Sequence, residues 1–148
     1  MVVVDASVFN KLFLDETDRH LAVDLFRHAI ETDIQLIAPN LLLYEALSAA
    51  MHYGVPFAVV HRQLSLQRAA GMRLIEPTAR VLELAERIAT SGNTKAGCPA
   101  VPDSIYHALA IETQGSFVTA DSRHVAKAKQ FGSVTLLSDY KTRPLTQR

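Results

Sequence analysis

Met1-Val2-Val3-Val4-Asp5-Ala6-Ser7 is the stretch that decides the fold of this chain. An unbroken apolar run rich in valine predicts a strand buried on both faces, and the acid that follows marks its carboxyl end. Such a strand belongs in the interior of a parallel sheet, so the sequence beyond it should alternate helices with further strands. Apolar residues recur at helical spacing through Val8, Phe9, Leu12 and Phe13, and again after the polar residues 15–18 through Leu21, Ala22, Leu25, Phe26 and Ile30. Residues 34–38 read as a second strand, 41–52 and 57–70 as helices, and 72–75 as a third strand. Thr78 can cap a helix through Ile88, and residues 91–101 form the longest loop. Pro102 opens a helix through Glu112, 117–119 make a fourth strand, 121–130 a short helix and 134–137 a fifth strand before a polar tail. The expectation is an α/β fold: a three-layer α/β/α sandwich around a central, mostly parallel five-stranded sheet, with residues 1–148 as a single domain.

With 148 residues, 49% of them hydrophobic, the chain can bury one sizeable core and is too short for two ordinary domains. Lys plus Arg number 15 and Asp plus Glu number 15, which excludes indiscriminate basic binding of nucleic acid but not a local basic patch. The halves differ: residues 1–76 hold nine acids and six bases, residues 77–148 six acids and nine bases. Beyond Asp121, the bases Arg123, Lys127, Lys129, Lys141, Arg143 and Arg148 face one acid, Asp139. That excess is either a phosphate-contacting rim, with Arg123, Lys127 and Lys129 as RNA-binding candidates, or a solvated helix face. Cys98 has no partner for an internal disulfide, and no leader-like segment or long apolar run occurs, so no membrane span and a cytoplasmic location are expected.

Four acids stand out by context. In open α/β sheets ligands bind beyond the carboxyl ends of the strands where strand order reverses, which selects Asp5 and Asp121. Either could instead cap the helix it precedes. Glu45 lies on a helix apolar around most of its circumference, so it needs a partner or a metal, and the alternatives to a metal are an ion pair with an arginine or a mostly exposed edge position. Asp103, in a helix first turn, could complement the helix dipole or project toward the same edge. Converging carboxylates about 4 Å apart repel by roughly 1 kcal/mol per pair in water and about 4 at an effective dielectric of 20, so cations or protons must offset the charge. All-oxygen ligands favour Mg²⁺ or Mn²⁺ over zinc. The histidines show no zinc spacing; His107, one turn beyond Asp103, reads as packing or surface, and His124 as surface. Leu42, Leu43, Leu47, Met51, Tyr53, Val59, Val60, Leu64 and Leu66 exceed what one buried helix face needs, so some could serve a homodimer or partner groove.

Asp5-Ala6-Ser7 after a strand, Glu45 in Pro39-Asn40-Leu41-Leu42-Leu43-Tyr44-Glu45, Pro102-Asp103-Ser104-Ile105-Tyr106-His107-Ala108-Leu109-Ala110, and Phe117-Val118-Thr119-Ala120-Asp121 together resemble the PIN domain. More narrowly, they resemble the VapC-type toxin ribonucleases of toxin–antitoxin pairs. The resemblance covers nearly the whole chain and rests on the order, spacing and placement of short motifs. It implies that Asp5, Glu45, Asp103 and Asp121 form a catalytic Mg²⁺ or Mn²⁺ site supported by Ser7 and Thr119. It also implies hydrolysis of single-stranded RNA by metal-activated water, a cognate antitoxin and a homodimer. Ser104 stands where the family often has a small apolar residue, which should be harmless, and the loop 91–101 could reshape the RNA entrance. The alternatives are a PIN nuclease of RNA processing or quality control, and a PIN-like binding module without activity.

Overall fold

A computed structural model describes residues 1–92 and 95–142. Its centre is the valine run, which forms strand β1 (Val2–Val4) with all three residues buried. The other strands are β2 (Leu36–Pro39), β3 (Arg73–Ile75), β4 (Ser116–Thr119) and β5 (Val134–Leu136). They make one sheet in the order β3-β2-β1-β4-β5, and every pairing is parallel rather than mostly so. Burial follows position: the central β1, β2 and β4 are almost wholly enclosed, while the edge strands β3 and β5 are partly exposed. Because β1 is flanked by β2 on one side and β4 on the other, strand order reverses at the β1–β4 junction.

The helices are α1 (Ala6–Phe9), α2 (Arg19–Glu31), α3 (Leu41–His52), α4 (Phe57–Ala69), α5 (Ala79–Ala89), α6 (Val101–Glu112) and α7 (Ser122–Ala128). The first predicted helix is shorter than its apolar spacing suggested, since α1 tightens into a 3₁₀ turn at Asn10–Leu12. There the buried Lys11 ammonium is held by Glu16 and, at 2.7 Å, by Asp18, so the polar break before α2 is also an anchored turn. Thr78 caps α5 as expected, accepting the Val81 N–H at 3.3 Å. The apolar faces of these helices and the sheet share one core, including Phe9, Leu25, Ile37, Leu42, Ile88, Tyr106 and Phe117.

Gly115 joins α6 to β4 where a side chain would not fit, since a Cβ there would lie 2.7 Å from the Met1 carbonyl oxygen. That close approach lets the Ser116 N–H reach Met1 O at 3.2 Å and begin the β1–β4 pairing. Among the described residues no helix is long and apolar enough to cross a membrane. Arg143 and Arg148, counted above among the basic residues, lie outside the described residues.

Candidate functional site

Asp5 occupies the single extended residue between β1 and α1, where its Oδ1 accepts the Val8 N–H at 3.2 Å. The capping reading is therefore correct, yet it uses only part of the carboxylate. Ser7 Oγ donates to Oδ1 and Thr119 Oγ1 donates to Oδ2, each at 2.5 Å. Both hydroxyls also accept: Ser7 Oγ from the Ala120 N–H at 2.9 Å, and Thr119 Oγ1 from the Asp121 N–H at 3.1 Å. Ser7 and Thr119 thus stitch β1 to β4 across the point where strand order reverses. Asp121 caps α7 through the N–H groups of Arg123 at 2.9 Å and His124 at 3.4 Å.

Glu45 and Asp103 reach the same region from α3 and α6. Burial pushes the Asp103 carboxyl up to about 6, reinforced by Asp5 and Asp121 and opposed by Lys127. Asp5 is also raised to about 6, by burial against the three hydrogen bonds it accepts, with a further contribution from Glu45. Glu45 is raised by burial and by Asp103, while a hydrogen bond from Tyr106 acts the other way. Each of the four acids is therefore within the field of another, and none of them forms a salt bridge with a described residue.

Sequence reasoning overlooked Tyr106 and misplaced His124. The Tyr106 hydroxyl donates to Glu45 Oε1 at 2.6 Å, so the partner of this carboxylate is a phenol rather than an arginine. The available signal was its place one helical turn after Asp103, on the same face of α6. His124 is not on the surface: it is 2% exposed, and His107 is fully buried. His107 Nε2 lies 2.6 Å from the Gly132 carbonyl and so carries its proton, which leaves Nδ1 to accept from His124 Nε2 at 3.0 Å. His124 Nδ1 is then a bare buried acceptor, without a partner among the described residues. Burial lowers both imidazoles, His124 to about 4, so the pair is neutral near pH 7.

The remaining expectations divide. Ser104 is buried and donates to the Ala100 carbonyl at 2.8 Å, which satisfies its hydroxyl inside α6. Lys127 is half-buried, lies within the field of Asp103 and donates to the Cys98 carbonyl at 3.3 Å, tying the loop before α6 to α7. Arg123 and Lys129 are exposed on the same short segment. Of the apolar residues on α3 and α4, Leu42, Val60 and Leu64 are core, whereas Met51, Tyr53 and Leu66 are exposed, together with Tyr44 and Phe57.

The donor chemistry fits a hard divalent cation, because the grouped side chains offer oxygen only and, among the described residues, form no salt bridge. Among the described residues, no three His, Cys, Asp or Glu side chains draw close enough to make a ready-formed cage. An open, hydrated arrangement is what Mg²⁺ commonly takes, since it keeps several waters and uses one or two carboxylates.

No curated protein matches the sequence significantly. Among solved structures, PAE2754 from Pyrobaculum aerophilum is similar with a TM-score of 0.61 and 20% identity, over 93% of this chain and 90% of that one. At that identity the likeness concerns the fold alone. The model of the PIN domain, generally a nuclease fold, matches residues 2–130. The matched span runs from β1 through α7 and includes all four acids, so the carboxylates at the β1–β4 junction sit within a recognised domain: the chain belongs to the PIN domain family.

Proposed function

We propose that this protein is an endoribonuclease that uses Mg²⁺ or Mn²⁺ to cleave single-stranded RNA, and that it is the toxin of a toxin–antitoxin pair. The observation that carries the nuclease reading is the grouping of Asp5, Glu45, Asp103 and Asp121, electrostatically coupled and without a salt bridge among the described residues. A cation held by these carboxylates supplies Lewis acidity toward the phosphate and lowers the pKa of an attacking water. The chain's own residues do the rest. Ser7 and Thr119 hold both oxygens of Asp5 in place, so the carboxylate does not reorient as charge develops beside it. Lys127, within the field of Asp103, neutralises a backbone phosphate at the rim, and the exposed Arg123 and Lys129 extend that rim along the strand.

The toxin role rests on the motif resemblance. The exposed Met51, Tyr53 and Phe57 around the α3–α4 turn support a protein-bound state, with an antitoxin or a second copy of this chain. A labelled single-stranded RNA should be cut with Mn²⁺ and left intact with EDTA. Asp5→Asn and Asp103→Asn should each slow cleavage by about a hundredfold or more while circular dichroism stays native. Full activity in the folded variants overturns the site. Induced expression of the wild type, but not of Asp103→Asn, should arrest growth, and unimpaired growth with active enzyme removes the toxin role.

A further inference from the structure

We propose that Tyr106 is a positioning residue: its hydroxyl holds one oxygen of Glu45 so that the other is presented to a divalent cation. This rests on the reading of the four acids as a cation site. Glu45 is half-buried on α3, and its flexible side chain has every electrostatic reason to swing into water, because Asp103 and Asp5 both lie within its field. Among the described residues the Glu45 carboxylate has one hydrogen-bond partner, the Tyr106 hydroxyl at 2.6 Å. That hydroxyl is itself immobile. The Tyr106 ring is fully buried and stacked on Phe117, with centroids 5.9 Å apart and planes 7° from parallel, so the core fixes where the donor sits.

The contact joins α6 to α3 across 61 residues of sequence. The phenol oxygen also faces the start of α1: the Ala6 backbone N–H and the Asp5 carboxylate both act on it. A single rigid hydroxyl therefore lies among the elements that carry Asp5, Glu45 and Asp103. Tyr106 donates to Oε1 only, leaving Oε2 for a cation shared with the neighbouring acids. Tyr106 is itself enclosed in the core and does not meet substrate, which makes it a positioning residue rather than a catalytic one.

Tyr106→Phe removes the hydroxyl and keeps the stacked ring. Calorimetry with MnCl₂ alone should show about tenfold weaker binding than wild type, the usual worth of a hydrogen bond to a charged group. In a Glu45→Ala background the same substitution should change Mn²⁺ affinity less than twofold, because the acceptor is gone. With RNA, kcat should fall while KM is unchanged. Wild-type affinity in Tyr106→Phe, or an equal loss in both backgrounds, overturns the proposal. Should Tyr106→Phe not fold, NMR of the wild type decides: a Tyr106 hydroxyl proton that exchanges with water as fast as a free phenol overturns it, and a protected one supports it. If wild type itself neither binds Mn²⁺ nor cuts RNA, the cation-site reading fails; if wild type does both and only the Tyr106 effects are absent, this inference fails alone.

Discussion

Thr119 shows how much one side chain does at this junction. Its Oγ1 is fully buried, donates to Asp5 Oδ2 at 2.5 Å and accepts the Asp121 N–H at 3.1 Å, so it serves two candidate ligands on opposite sides of the β1–β4 boundary. Thr119→Val keeps the shape and deletes both bonds. The substitution should cost about 1–3 kcal/mol, the penalty for stranding a buried donor and a charged acceptor. Urea unfolding should show this as a lower midpoint at unchanged m. Ser7→Ala removes the other hydroxyl on Asp5, and its effect should not simply add to that of Thr119→Val, because both share Asp5. The resemblance to the PIN domain singled out Ser7 and Thr119 as supporting hydroxyls. Their common acceptor was hidden, because the Thr119–Asp5 contact spans 114 residues.

At the scale of elements, α6 is the scaffold of the site. Its first turn carries Asp103, its next turn Tyr106 and His107, and the buried His107 links it to α7 through His124. A charged His124 has no acceptor for its Nδ1 proton among the described residues, so protonation must open the contact. His124 is held at about 4 against an ordinary 6.5, so the unfolded chain takes up its proton first as the pH falls. The pair's contribution is fully present above about 6.5 and is lost as pH falls toward 4. His107, Asp121 and Lys127 all act on this group, and Asp5 and Asp103, raised to about 6, work in the opposite direction over the same interval. The histidine effect is therefore read as a difference: wild-type stability minus that of His124→Gln should rise between pH 4 and 6.5, measured by urea denaturation at each pH. A flat difference removes the neutral-pair account.

Over the whole molecule the charge is balanced but segregated. Balance at 15 against 15 coexists with an acidic group at the β1–β4 junction and with Arg123, Lys127 and Lys129 on the segment beside it. RNA binding should therefore weaken with salt through a few defined phosphate contacts. In an Asp103→Asn background, where cleavage should be too slow to disturb a binding measurement, Lys127→Ala should reduce the slope of log K against log salt by about 0.7, the value for one phosphate on a single strand. Arg27→Ala should leave it unchanged. Arg27 is paired with Asp24 at 2.5 Å near the end of α2, which leads into the amino-terminal end of β2, away from the strand carboxyl ends that Asp5 and Asp121 follow. Equal slopes in all three proteins would remove Lys127 from the rim.

The apolar run of residues 2–4, the helical spacing through residues 21–30 and the Pro-opened segment 102–112 were enough for the alternation of strands and helices, because apolar spacing and breaker residues are local features of each element. The places of Asp5 and Asp121 at strand ends followed from the same local information. Only the tertiary structure decided that every strand runs parallel, that β1 and β4 are neighbours, and that Glu45 finds a phenol. It also reversed the placement of His124, read from the sequence as a surface residue near Asp121, by packing it against His107, which supplies an acceptor for its ring. The reason is that periodicity encodes which face of an element is buried, whereas a hydrogen bond between side chains 17, 61 or 114 residues apart depends on which faces meet.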